Sequence, residues 1–314
     1  ISSAASDVYK RQKFFFEGNE AAALGSIYGG IQLLAWYPIT PSSSMCEGII
    51  SYIPRLRTDD EGNATVAVIQ AEDELAAAGM VLGAGWAGGR GLTATSGPGI
   101  SLMQEFIGLA YFAEIPSVFW DVVRVGPSTG LPTRTQQSDI AMLYEGSHGD
   151  TQHIVLLPGT VEECFEFGWR AFDYSERFQT PVFGMSDLDL GMNRWACGGF
   201  TYPDKPMDRG KVVREKDVFE AFETFGRYLD VDGDGIPYRT LPGSGMDPIL
   251  YRGTGHNPMG IYSEKPEDYY NLMQRLRKKI DNARDELPAP IIREAEVCQV
   301  CLLYTSPSPR DSDT

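Results

Sequence analysis

Thr65–Gly79 reads TVAVIQAEDELAAAG, and this stretch sets the class of the fold. Thr65–Gln70 is a β-branched run of strand length. Three acids follow, Glu72, Asp73 and Glu74, and the chain then becomes small and apolar. Acids in a first turn suit the positive end of a helix dipole, so Glu72–Gly88 is expected to be a helix. A short strand running straight into a helix is the repeating unit of a sheet covered by helices.

The same alternation extends in both directions. Residues 18–34 are rich in Ala and Gly and predict a closely packing helix. Two prolines make AWYPITPSSS (Ala35–Ser44) an extended loop, and Ser42–Ser44 are positioned to cap a helix reaching about Ile53. Downstream, Leu92–Thr95 is a short strand. Pro98 opens a helix to about Phe112, and Ser117–Val123 (SVFWDVV) is a buried strand. Ser138–Gly146, Ile154–Leu157, Thr160–Ser175 and Pro181–Met185 continue the series. Short, continuously apolar strands alternating with helices imply an α/β fold with a mostly parallel sheet flanked by helices.

Near Trp195 the pattern changes. Residues 196–287 are rich in Gly, Pro and charge, with helices expected at about 215–229 and 266–285; the second carries a clear apolar stripe. From Pro288 the chain reads as a linker into a further strand, REAEVCQV (Arg293–Val300), the start of a truncated following domain. The expected organisation is therefore a main domain over 13–195, a mixed helical insert over 196–287 and the opening of another domain over 288–300.

The two ends read differently. DVYKRQ (Asp7–Gln12) and CLLYTS (Cys301–Ser306) can be encoded by DNA strings that are reverse complements over their shared stretch. That inverted repeat matches the mosaic ends of a sequencing-library transposon. Residues 1–12 and 301–314 are therefore expected to be adapter read-through rather than protein.

The formal net charge is −16. Such acidity argues against nucleic acid or an anionic membrane surface as a partner. No apolar run approaches the roughly 20 residues needed to span a bilayer. Within 13–300 the cysteines are Cys46, Cys164, Cys197 and Cys298. Their scatter, without CxxC, reads as reduced, buried thiols in a cytoplasmic protein, and as no iron–sulfur or metal site on this chain.

In α/β sheets, sites lie beyond the carboxyl ends of the strands. Here those loops are YPITPSSS, QAEDE, TSGPG and RVGPSTGLPTRTQQSD. The last, Arg124–Asp139, holds Arg124 and Arg134 among Ser128, Thr129, Thr133 and Thr135, with Gly126 and Gly130 allowing close backbone approach. Arginines with hydroxyls and Gly amides form an anion-binding set suited to a carboxylate, although a plain surface loop has the same composition. Glu74, followed by LAAAG, is placed to hydrogen-bond a heterocycle nitrogen, or else merely to serve the helix dipole. Thr40 stands between Pro38 and Pro41, which would fix its hydroxyl. TSGPG (Thr95–Gly99) offers amides at a helix start. DVDGDG (Asp230–Gly235) imitates a calcium loop but has Leu241 at its twelfth position, so it reads as a solvated turn. His148, His153 and His256 have neither triad nor metal spacing; His256 alone merits watching.

Taken together, GNEAAALGSIYGG, YPITPSS, QAEDELAAAG, TSGPGISLMQEFIGLA and RVGPSTGLPTRTQQSD resemble, in that order, the α subunits of 2-oxoacid:ferredoxin oxidoreductases. The resemblance implies a thiamine-diphosphate pyrimidine-binding domain over 13–195 and the start of a transketolase C-terminal-like domain at 288. It implies that Glu74 contacts the coenzyme's aminopyrimidine as the catalytic carboxylate, with Tyr37 and Thr40 also facing the coenzyme. Thr40, Arg124 and Thr133 are implied to bind substrate, Arg124 taking the 2-oxoacid carboxylate. The implied reaction is oxidative decarboxylation of a 2-oxoacid, with coenzyme A accepting the acyl group and ferredoxin the electrons. A β subunit is implied to hold the coenzyme diphosphate, its Mg2+ and an iron–sulfur cluster, and a γ domain precedes the α domain in some members. GPSTGLPTRTQ and the long 196–285 segment are more similar to the 2-oxoglutarate type than to the pyruvate or branched-chain types. The other readings are a transketolase-like enzyme without ferredoxin, a non-catalytic subunit and a plain anion-binding module.

Overall fold

The computed structural model describes residues 13–220, 222–246 and 251–292. The expected tails and the strand expected at 293–300 lie outside the described residues. The elements run β1 (Phe14–Glu17), α1 (Gly18–Tyr28), β2 (Leu33–Trp36), α2 (Ser43–Leu56), β3 (Ala67–Gln70), α3 (Glu74–Trp86), β4 (Gly91–Thr95), α4 (Gly97–Phe112) and β5 (Ser117–Val123). They continue α5 (Ile140–Tyr144), β6 (Ile154–Leu156), α6 (Val161–Phe178), β7 (Pro181–Asp187), α7 (Leu188–Met192), β8 (Arg194–Cys197), α8 (Lys216–Glu220) and α9 (Pro266–Ala283).

Among the described residues six strands form one parallel sheet in the order β3-β2-β4-β5-β7-β6. Its centre is β5, fully buried along its length, as a strand covered on both faces must be. Side chains alternate across it. Val118, Trp120 and Val122 join the core under α1, α2, α6 and α9, while Phe119 and Val123 join the core under α3, α4 and α5. Asp121 belongs by register to the second face. α1 and α6 approach at Gly25 and Gly168, where an added Cβ at Gly168 would lie 2.6 Å from the Ala22 carbonyl oxygen.

Several expectations change. The helix expected over 18–34 ends at Tyr28, because Gly29 and Gly30 (φ 76°) turn the chain out of helical geometry. LLAW then forms β2, which was expected to belong partly to that helix and partly to a loop; it pairs in parallel with β3 and β4. Ser42 precedes α2 without a side-chain cap, its hydroxyl donating instead to the Ile39 carbonyl at 2.9 Å. Of the helix expected at 215–229, the described residues include α8, Lys216–Glu220. β1 and β8 pair antiparallel in a separate ribbon, so a strand crosses the expected boundary at 195.

Charge clusters fasten the later segment to the sheet domain. Arg90, 2% exposed, binds Asp173 at 2.9 Å and Glu176 at 2.8 Å. Glu176 also meets Arg209 at 3.0 Å and Arg239 at 3.4 Å. Glu114, after α4, pairs with Arg275 and with Lys279 (2.8 Å) on α9. The two guanidinium and ammonium charges hold its carboxyl well below the usual range despite complete burial. Removing one member of such a pair would cost about 3–5 kcal/mol. Among the described residues no helix is long and apolar enough to cross a membrane.

Candidate functional site

Because β2, β3, β4 and β5 are parallel, the loops that follow them emerge at one edge of the sheet. Each places a different group there. After β3 the three acids separate by role. Glu72 is exposed. Asp73 is extended (φ −156°) and its Oδ1 accepts from the Ala76 amide at 2.7 Å, capping α3. Glu74, one residue on, is only 7% exposed. The helix start therefore turns one acid into the protein while another satisfies its amides.

Glu74 is held from the side by α4. A Cβ at Gly99 would collide with Thr95 Oγ1 and lie 2.9 Å from Glu74 Cγ. Only glycine at that turn lets α4 lie against the acid's carbon chain. The TSGPG segment thus acts through missing side-chain volume, and its Ser96 hydroxyl is buried with no protein partner.

Arg124, at the end of β5, is 7% exposed. Its Nη1 donates to the Thr40 carbonyl at 2.9 Å, and its Nε has no protein partner. Burial lowers its pKa, and the charge of Glu74 opposes that shift. The carboxylate and the guanidinium therefore lie within electrostatic reach of each other, at the carboxyl edge.

The loop after Arg124 borders a cleft of about 780 Å³, whose lining includes Arg124, Gly126, Ser128, Thr129, Gly97 and Asp139. The loop is internally braced. The Val125 amide donates to the Arg134 carbonyl at 3.0 Å, the Leu131 amide to the Val125 carbonyl at 2.9 Å and the Gly126 amide to Gln136 Oε1 at 3.1 Å. Ser128 (φ 58°) and Gly130 (φ 51°) both occupy the left-handed region, which is uncommon for Ser.

The expected residues are not all brought together. Glu74, Arg124 and the Thr40 main chain share the edge. Tyr37 is 38% exposed on the β2 loop, and Thr40 is exposed. Thr133 is exposed, is not part of the cleft lining, and its hydroxyl accepts from Arg134 Nη1 at 3.3 Å. His256 packs against Tyr228 and Phe112, with Nδ1 2.8 Å from the Thr254 carbonyl. In DVDGDG, Asp232 and Asp234 bind Lys211 at 2.6 and 2.8 Å. Two buried acids were not singled out individually: Asp121, within β5, and Asp139, which ends the loop and lines the cleft. The available signal was the lone acid inside the apolar run SVFWDVV.

This geometry is that of an α/β domain with a buried carboxylate and a guanidinium at the carboxyl edge of its sheet. Residues 24–194 match the family model described as "Pyruvate flavodoxin/ferredoxin oxidoreductase, thiamine diP-bdg", so the domain is of the thiamine-diphosphate-binding class. The 2-oxoglutarate synthase subunit KorA of Methanothermobacter thermautotrophicus is 40% identical over 277 residues, covering 88% of this chain and 69% of that protein. The 2-oxoacid:ferredoxin oxidoreductase 1 subunit alpha of Sulfurisphaera tokodaii is 38% identical over 283 residues, covering 89% of this chain and 44% of that protein. A solved 2-oxoglutarate:ferredoxin oxidoreductase from Magnetococcus marinus, with 2-oxoglutarate, coenzyme A and succinyl-CoA bound, superposes with a TM-score of 0.81 at 30% identity. That match covers 90% of this chain and 47% of the other. The chain belongs to the 2-oxoacid:ferredoxin oxidoreductase family, as an α subunit.

Proposed function

We propose that the chain acts as the α subunit of a 2-oxoglutarate:ferredoxin oxidoreductase. The reaction is oxidative decarboxylation of the 2-oxoacid, with the acyl group passed to coenzyme A and electrons to ferredoxin. The observation that carries this reading is Glu74, buried at the sheet edge it shares with Arg124. Thiamine diphosphate, when bound, supplies the electron sink for cleavage of the bond to the departing carboxylate.

The chain's own residues bind and orient. The absence of a side chain at Gly99 lets α4 lie against the carbon chain of Glu74, which fits an acid held in a fixed position for the coenzyme. Glu74 would hold a nitrogen of the coenzyme's aminopyrimidine, with Tyr37 and Thr40 on the neighbouring loop. Arg124 would take the 2-oxoacid carboxylate, its guanidinium already steered by the Thr40 carbonyl. Thr133 would join through its O–H, which stays free to donate while its oxygen accepts from Arg134 Nη1.

2-Oxoglutarate is favoured because relatives from three methanogens, 36–40% identical to this chain, carry the name 2-oxoglutarate synthase subunit KorA. The coenzyme diphosphate, Mg2+ and an iron–sulfur cluster are assigned to a β subunit. The described cysteines, Cys46, Cys164 and Cys197, are buried free thiols. The partners are that β subunit, ferredoxin and, fused or separate, a γ domain.

The test is dye or ferredoxin reduction by the assembled α–β complex, with coenzyme A, across 2-oxoglutarate, pyruvate and branched-chain 2-oxoacids. Reduction that depends on both 2-oxoglutarate and coenzyme A is expected. Reduction with none of these acids would contradict the activity, and a preference for pyruvate would contradict the substrate.

A further inference from the structure

Asp121 sits in the middle of β5, completely buried, among apolar residues. Neither of its carboxyl oxygens has a donor from the protein. Asp139, which ends the cleft loop and is 8% exposed, has one oxygen in the same condition. Its other oxygen accepts from the Ser138 hydroxyl at 2.9 Å. Asp121 pairs in register with Thr95 on β4, and the unpartnered oxygen of Asp139 lies against Gly97, two residues beyond Thr95, so the two carboxyls meet at one corner of the sheet. Two buried acceptors cannot satisfy each other as anions. One proton between them turns an acceptor into a donor and removes the like-charge repulsion.

We propose that Asp121 and Asp139 share a single proton, and that this pair is the latch that positions the substrate loop Arg124–Asp139. The topology supports it. Asp121 lies on β5 three residues before Arg124, and Asp139 closes the loop, so the shared proton ties the loop's far end back to the strand it left. Its place is built in, because a Cβ at Gly97 would lie 2.5 Å from the Asp139 oxygen that lacks a partner.

In this pair Asp121 is the hydrogen-bond donor and Asp139 the acceptor. Asp139 keeps the Ser138 hydroxyl and stands against the first turn of α4, where the helix dipole favours an anion. Asp121 has no such help, and burial with the neighbouring carboxylate holds its carboxyl well above the usual range. Three other charged groups lie nearby, and of these Arg124 keeps its Nε without a protein partner. Arg124, just past the same strand, donates to the Thr40 carbonyl, Glu74 on α3 is near enough to oppose the lowering of Arg124's pKa, and Asp187 at the end of β7 caps α7 through the Leu190 amide at 2.8 Å. Register neighbours on β4 and β7 are Thr95 and Met185, neither of which carries a charge.

The inference rests on the proposed activity for its kinetic consequence only. In the assembled complex, Asp121→Ala is expected to raise KM for 2-oxoglutarate at least tenfold, with kcat changed less than threefold. Asp121→Asn, whose amide donates to the Asp139 carboxylate, is expected to recover most of that loss. Equal losses in both variants, or no change in either, would overturn the latch. Two readouts hold even if the complex shows no 2-oxoacid activity or the alanine variant fails to fold. An infrared difference spectrum, parent minus Asp121→Asn at neutral pH, is expected to show the carbonyl stretch of a protonated carboxyl. Amide hydrogen exchange in 125–138 is expected to speed up at least fivefold in Asp121→Leu but not in Asp121→Asn. Absence of the carbonyl band, or a loop whose exchange ignores these substitutions, would refute the proposal.

Discussion

Arg124 at the end of β5 donates a hydrogen bond from Nη1 to the carbonyl oxygen of Thr40 at 2.9 Å, joining the loops that follow two strands of the sheet. One side chain thereby fixes the height of the β2 loop and holds its own guanidinium toward the cleft. Arg124→Ala should remove both effects. A charge-assisted hydrogen bond contributes roughly 1.5–3 kcal/mol, so kcat/KM is expected to fall by about tenfold to a hundredfold, mostly through KM. Steady-state kinetics of the assembled complex would check this, and an unchanged KM would take Arg124 out of the substrate site.

Gly99 sets how α4 meets Glu74. In Gly99→Ala the new methyl group would overlap Thr95 Oγ1 and crowd Glu74 Cγ. Overpacking of this kind costs about 1–3 kcal/mol, and here the strain falls beside the buried acid. The variant should lose stability by that amount in urea denaturation and lose activity as well. Adding Thr95→Ala should restore part of the stability by removing the worse overlap. Failure of the second change to help would show that Thr95 yields without strain.

His153 gives a pH signature. It is buried, its Nε2 lies 2.8 Å from the Gly146 carbonyl, and its ring packs edge-on against Tyr111 and Phe183. Burial lowers its pKa to about 4 from the ordinary 6.5. The unfolded chain therefore binds a proton that the native state refuses as pH falls from 6.5 to 4. Stability is lost across that window and is fully present above it, by about 3 kcal/mol at most. Denaturation midpoints at pH 7 and pH 4.5 should converge in His153→Phe relative to the parent. An equally steep acid loss in the variant would assign the effect to other groups.

What the sequence reveals about this molecule follows the range of the physics. SVFWDVV needed only apolar continuity, and its expected bounds coincide with those of β5. The helix expected at 266–285 begins where expected and ends two residues early, because its stripe of Leu272, Leu276 and Ile280 is periodic. LLAW was hidden because no local period marks a four-residue buried strand beside two glycines. The cluster of Arg90, Asp173, Glu176 and Arg239 joins residues far apart in the chain, and long-range charge pairing leaves no local pattern. The acids at 72–74 were visible as a group. Which of them turns inward depends on the capping role of Asp73 and on the volume missing at Gly99, and both are facts of three dimensions.

The central claim is that Glu74 is the carboxylate that activates the coenzyme, and hydrogen–deuterium exchange at C2 of bound thiamine diphosphate tests it most directly. In the assembled complex, Glu74→Gln should leave subunit assembly intact and slow that exchange by about a hundredfold or more, the scale at which a positioned acid–base group acts. Exchange at the parent's rate in an assembled Glu74→Gln complex would contradict it.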